Sequence, residues 1–461
     1  MKNHILLMIL VMTLMAGLMG CSLNTPAPPP YPVQIIQLRD SLAASEEYWP
    51  GFEVSTIPLI VYYHDQTWLM SRPAPTDEWK AVEGIGDAYT IDGRYPQLEE
   101  NSNINLAGSL TTTLLIQDTD SDSLRGHAAL AISQAFRGHS HEHYPQWEPY
   151  EENLFLYPVT DKALLKWQML EGKGLKGALK AMADGEKDEV LKWMSYAVAA
   201  RDSFNTQAPE FAYEYVRQTE LQEGLPYYIE VKARNLDPLM MYHNTMWFDP
   251  KDTRRRAQVT GAAIAFLLDE YFPEWKATLS RRAADNPDMN DLLRSAVNRS
   301  GGLLAQLPAD LISEYNQRAG ARIRRFKTLR DNMLYEWDKE EGYRIILDAT
   351  MYPMIAIGFD LYNIRHLEDN KLFHDHWLKL TNNHGVVEIQ DQPMMTWPAG
   401  DHPLYTGIER LEITGLSYPP ELEEKGDSLI LRWTGGEMRL INALLEEMDG
   451  TISVKLEMPV Q

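Results

Sequence analysis

Cys21 is the only cysteine in a chain of 461 residues. It follows an almost unbroken apolar run, Ile5 to Met19, which has Lys2 before it and Gly20 after it. No internal disulfide can form, so the body that follows must hold together by burial and hydrogen bonding. The run is shorter than the about 20 residues that span a bilayer, and its order of charge then apolar stretch is that of a cleaved export signal. Residues 1–20 are therefore expected to be removed. The next stretch, Leu23 to Val33, reads LNTPAPPPYPV. Proline locks φ and favours extended polyproline II at about 3.1 Å per residue, so residues 21–33 are expected to form a semi-rigid tether.

The formal charge is −23, and loss of Lys2 with the signal makes the remainder one unit more negative. Such a balance argues against nucleic acid and against docking on anionic lipid heads, both of which attract cationic surfaces. It suits a well-solvated surface. No second long apolar run follows the first.

Beyond the tether the hydrophobic pattern divides the chain in three. Residues 34–122 are expected to be mixed with β content: Ser55–Tyr63 is rich in β-branched and aromatic residues, and Leu106–Gln117 ends in the turn-rich QDTDSDS. Residues 123–337 have helical spacing. Ser123 is placed to cap a helix from Leu124 to Phe136, with Leu124, Ala128, Ala131 and Ala135 on one side. Further helices are expected at Asp161–Met182 behind a Thr160 cap, Asp188–Phe204, Pro209–Ala233, Arg254–Tyr271 and Pro308–Trp337. The last carries a basic run, Arg318, Arg322, Arg324, Arg325, Lys327 and Arg330, which reads as a solvated or salt-bridged face. Residues 338–461 turn to short strands flanked by Gly, Asp and Pro, namely Tyr343–Leu347, Val386–Ile389, Arg410–Ile413, Ser428–Arg432 and Thr451–Leu456. One helix is expected among them at Met438–Met448. The fold class expected is α+β, with an N-terminal β part, a largely helical body and a small β-rich C-terminal domain.

Two stretches resemble known patterns. Leu18-Met19-Gly20-Cys21 resembles the lipobox of bacterial lipoproteins. The resemblance implies cleavage before Cys21, lipid on its sulfur, and a membrane partner reached through that lipid. With Ser22 next, it implies an outer-membrane lipoprotein facing the periplasm. Leu124-Arg-Gly-His-Ala-Ala-Leu-Ala-Ile-Ser-Gln134 resembles the HExxH helix of gluzincin-type zinc metallopeptidases, with His127 at the first histidine. Glu223-Gly224-Leu225 resembles their third-ligand motif, and Thr260–Asp269 another shared helix. The preceding strand, Gly108–Gln117, would be that fold's edge strand. In HExxH two histidines four residues apart face one metal from one side of a helix, and the glutamate is the general base.

The departures from that pattern decide the chemistry. Ala128 stands at the base position and Ala131 at the second histidine. The expectation is therefore a non-catalytic protein with no cofactor, whose cleft or C-terminal domain binds an envelope peptide or protein. The alternative is a zinc-dependent hydrolase with a rearranged site. Its ligands would be His127, Glu223 and the cluster His139-Ser-His141-Glu-His143, whose three imidazoles would share a face if the segment were extended. No cysteine remains for thiol catalysis, and there is no Gly-x-Ser-x-Gly elbow.

Overall fold

The computed structural model describes residues 29–117, 122–242, 248–285, 287–367 and 370–458. Cys21, the expected signal and most of the expected tether lie outside the described residues. The tether expectation ends early: helix α1, Tyr31–Ser45, opens on Tyr31 with Pro32 in its first turn, where a missing N–H costs nothing. Its inner face buries Val33, Ile35 and Leu42.

The N-terminal sheet has six strands, β1 (Leu59–Tyr63), β2 (Gln66–Met70), β3 (Lys80–Ala81), β4 (Ala88–Asp92), β5 (Asn103–Leu106) and β6 (Ser109–Leu115), in the order β3-β4-β2-β1-β6-β5. β1 and β6 run parallel, with Leu59 opposite Thr112. The segment expected at the edge, Gly108–Gln117, supplies β6, which is interior. The edge strands are β3 and β5, and β5 turns into β6 at Ala107–Gly108, both at positive φ.

Eleven α-helices are described in all. Ser123 does cap α2, accepting from Gly126 N, but the helix runs beyond Phe136 to His143. After α3 (Glu152–Phe155), α4 (Lys162–Ala183) is capped by Asp161 rather than Thr160: one Asp161 carboxylate oxygen accepts from the N–H groups of Ala163 and Leu164. α4 and α5 (Lys187–Gln207) form a hairpin so close that a Cβ on Gly174 would lie 2.8 Å from the Ala197 nitrogen. The single helix expected over Pro209–Ala233 is divided into α6 (Glu210–Thr219), a π-turn over Glu220–Gly224 and α7 (Leu225–Arg234). α8 (Pro250–Tyr271) crosses this π-turn at Gly261, where a Cβ would come within 2.5 Å of the Glu220 carbonyl oxygen. Two shorter helices, α9 (Trp275–Arg281) and α10 (Met289–Arg299), precede α11 (Ala309–Lys339).

The C-terminal part is a sandwich of two sheets. One contains, in order, Ala443–Met448 (β18), Thr451–Leu456 (β19), Tyr343–Asp348 (β7), Ile408–Leu416 (β14), Met394–Pro398 (β13), Leu372–His374 (β10) and Ile364–His366 (β9). The other contains Glu421–Lys425 (β15), Ser428–Trp433 (β16), Gly436–Ile441 (β17), Gly385–Gln390 (β12), Trp377–Asn382 (β11) and Ile355–Phe359 (β8). All five expected strands are present. The helix expected at Met438–Met448 is instead β17 and β18 joined at Asn442, which has φ 52°. Met438 and Leu440 are buried while Arg439 and Ile441 face water, a period of two that fits a strand.

The protein is thus α+β, as expected. One core joins α1, the N-terminal sheet, α2, α7 and α8. A second is continuous from Leu164, Phe204 and Tyr215 of the helices to Ile345, Leu411 and Leu431 of the sandwich.

Candidate functional site

α2 and α7 pack antiparallel, and their contacts give the register. Arg125 Nε donates to the Ala233 carbonyl at 2.8 Å, Ser133 Oγ to the Pro226 carbonyl at 2.9 Å, and Arg137 pairs with Glu223 at 2.5 Å. Glu223 therefore faces Arg137. His127 lies ten residues back along α2, about 15 Å at the helical rise. The two residues expected to share a metal are not brought together.

His127 is 5% exposed. Its Nδ1 lies 2.9 Å from the Tyr31 hydroxyl, and it borders a separate cavity of about 220 Å³ beside Asp122 and Ile116. Ala128 and Ala131 are fully buried in the main core. They are packing residues of a helix that must approach its neighbours closely.

The histidine cluster is helical rather than extended, because α2 continues to its end. Residues four apart then stack and the one between turns away. The rings of His139 and His143 lie 4.1 Å apart, next to Phe52 and Phe136. Burial, together with the neighbouring His143, lowers the His139 pKa to about 4. His141 points elsewhere, with Nδ1 3.3 Å from Glu148 Oε2. Three imidazoles on one metal is thus not the arrangement found. Among the described residues no three His, Cys, Asp or Glu side chains are grouped closely enough to hold a metal ion.

Glu223 opens instead onto a cleft of about 320 Å³. One wall is β5 and β6, through Asn103 and Leu110. Another is α2, through Arg137, Gly138 and His141. The rest comes from Glu148 and Glu151, the π-turn, and Arg254 of α8. Gly138 is needed for this approach: a Cβ there would lie 2.8 Å from Leu110 Cδ2 and 2.9 Å from Asn103 Cγ. Glu223 is nearly buried, paired by Arg137 and approached by Arg254 at 3.8 Å. Arg254 also holds Glu151. Burial opposes the charge on Arg254, but Glu223 and Glu151 outweigh it and raise its pKa. Burial likewise raises the Glu151 carboxyl, against the pull of Arg254.

The π-turn that presents Glu223 also presents Glu220 to the interior. There Arg201, 1% exposed, bridges Glu220 and Glu171, with Nη2 2.6 Å from Glu171 Oε1 and Nη1 3.1 Å from Glu220 Oε2. Burial, only partly offset by Arg201, pushes the Glu220 carboxyl up to about 7. π-turns inside α-helices recur at functional sites, and here one turn directs two carboxylates to opposite uses.

Sequence reasoning missed Arg137, Gly138, Glu151 and Arg254. One signal was present. Arg137-Gly-His-Ser-His141 has the five-residue spacing of the HExxH helix, with only its last histidine retained.

No protein-family model, curated protein or solved structure matches this chain.

Proposed function

We propose that this is a lipid-anchored cell-envelope protein whose helical body keeps a metallopeptidase-like cleft and uses it to bind an envelope peptide or protein without hydrolysing it. The observation that carries this reading is the commitment of Glu223 to guanidinium groups, Arg137 at 2.5 Å and Arg254 at 3.8 Å. A carboxylate so held has its negative charge neutralised by fixed cations, in the place where a gluzincin-like site would offer it to zinc. On this reading the degenerate motif is Arg137 to His141, ten residues beyond the register read from the sequence. Arginine replaces the first ligand, Gly138 replaces the base, and β5 provides an open edge beside the cleft. Without a base a metal-bound water is not activated. The anchor on Cys21 and the outer-membrane, periplasm-facing location belong to the same proposal, and rest on the lipobox resemblance. Among the described residues no helix is long and apolar enough to cross a membrane.

The test is Arg137→His. This puts imidazoles at 137 and 141, four apart on one helix, opposite Glu223. The variant is expected to bind about one zinc per chain as a three-ligand site, with tetrahedral Zn–N distances near 2.0–2.1 Å by X-ray absorption. A folded variant that takes up no zinc refutes the register. In the wild type, peptide hydrolysis should stay at background with or without zinc. A second reading is favoured by the position of His141, which lines the same cleft as Glu148, Glu151 and Glu223. Chelator-sensitive hydrolysis by the wild type, abolished in His141→Ala, would establish a rearranged metal-dependent hydrolase.

A further inference from the structure

A second cavity, of about 570 Å³, lies where α8 begins, against the middle of α11 and next to β9 of the sandwich. α11 is anchored at both ends. Tyr315, Ala319 and Gly320 are buried at the bundle end and Trp337 at the sandwich end, where its ring meets Phe373. Between them no residue of the helix is fully buried. The stretch is not uniformly polar, however. Arg322, Arg325, Phe326, Leu329 and Met333 recur at three- and four-residue spacing and all face the cavity. The Phe326 ring stacks on Phe248 at 4.6 Å and 19°. Leu329 remains 47% exposed. Among the described residues this stripe lines the cavity instead of packing wholly against a neighbouring element, as such a stripe ordinarily does.

The charge around this floor is the reverse of the chain as a whole. The protein carries −23, yet among the described residues the cavity is lined by Lys251, Arg322, Arg325, Arg330 and Arg365 against Asp249 and Asp252. Asp249 is already taken by Arg330, and Arg365 is held 2.5 Å from Asp375. Crowded cations beside an apolar floor select a ligand that is apolar along its length and anionic at one end. The volume is within the range of about 300–1,000 Å³ usual for small-molecule sites. Burial holds the Arg330 guanidinium below its usual range, although Asp249 beside it pulls the other way.

We propose that this cavity binds an amphiphilic lipid anion: an acyl chain along Phe248, Phe326, Leu329 and Met333, with a carboxylate or phosphate head at Arg325 and Lys251. The ligand is independent of the Glu223 cleft, which lies on α2 and the π-turn.

The test uses the whole mature chain, titrated below micelle formation with oleate, oleoyl lysophosphatidate, neutral monooleoylglycerol and inorganic phosphate, and read by calorimetry and native mass spectrometry. One anionic lipid per chain is expected, with the neutral lipid bound at least tenfold more weakly. Tighter oleate binding identifies a carboxylate head and tighter lysophosphatidate binding a phosphate head; either supports the proposal. Lys251→Glu with Arg325→Glu should weaken both anions about tenfold or more, the loss expected for a charged hydrogen bond. Leu329→Asp should weaken both by a similar factor through the floor. Arg325 and Leu329 are exposed, so these changes leave the cores untouched. Equal binding of the neutral lipid, binding of phosphate as tight as that of the lipids, or unchanged affinity in both variants would overturn it.

Discussion

Replacing Arg201 with methionine removes a cation that is 1% exposed and sits between two carboxylates, Glu171 on α4 and Glu220 in the π-turn. The chain loses the group that lets α4, α5 and the π-turn meet without an uncompensated charge. Breaking a buried ion pair by removing one partner costs about 3–5 kcal/mol, because the other remains buried and unpaired. At roughly 2–4 °C per kcal/mol for a unit of 150–250 residues, the melting temperature should fall by about 6–20 °C at pH 8. The pH dependence adds a second check. The folded Glu220 carboxyl is pushed up to about 7, above its ordinary 4.5. A raised carboxyl holds its proton in the folded state while the unfolded chain releases it. The contribution of Glu220 to stability is therefore complete below about pH 4.5 and lost as pH rises through about 7. In Arg201→Met both carboxylates can protonate, so the deficit relative to wild type should be smaller at pH 5 than at pH 8. The assay is thermal unfolding by circular dichroism and calorimetry of residues 22–461 at the two pH values. A deficit of less than about 1 kcal/mol, or one equal at both, would refute a buried, charge-compensating role.

Three further outcomes are expected, the first from the lipobox resemblance and the other two from packing. Cys21→Ser should accumulate as unprocessed precursor and fail to label with fatty acid; a variant still cleaved and labelled would end the lipoprotein reading. Ala128→Glu with Ala131→His restores the motif in the register read from the sequence, but both sites are fully buried in the core. The double variant should lose several kcal/mol, or fail to fold, and gain no zinc at His127; wild-type melting with one bound zinc would show that the helix face is misplaced. Gly261→Ala puts a Cβ 2.5 Å from the Glu220 carbonyl oxygen, a backbone atom that cannot swing aside. It should destabilise by about 1–3 kcal/mol, and a melt within 1 °C of wild type would contradict the close crossing.

Much of the fold was legible because local rules carried it. α4, α5, α8 and α11 stand within a few residues of their expected bounds, since apolar spacing and N-terminal caps act over one or two turns. The five C-terminal strands were readable from their alternation and their flanking Gly and Asp. The misreadings occurred where local signals are silent or compete. Met438–Met448 has residues that suit either state, and only the facing core settles the period at two. The π-turn at Glu220–Gly224 is invisible to periodicity, because one extra residue in a turn leaves composition unchanged. Cys21 and its apolar run needed no fold to be read.

The site required tertiary structure. The resemblance singled out α2 and Glu223, and the π-turn that carries Glu223 does pack against α2. It could not say which turn of α2 Glu223 meets. Every turn of a helix offers a similar set of positions, and the choice among them depends on how two helices slide against each other. That slide is set by contacts far apart in the chain: Ser133 on the Pro226 carbonyl, Gly261 beneath Glu220, and Gly138 against Leu110 and Asn103. Those contacts put Arg137 rather than His127 before Glu223. The amino-acid order alone determined a lone cysteine behind an apolar run, the long helices of the body and five strands of the C-terminal part. The meeting of Arg137 with Glu223 was decided only by packing, because it needs the registers of two helices and a sheet to agree at once.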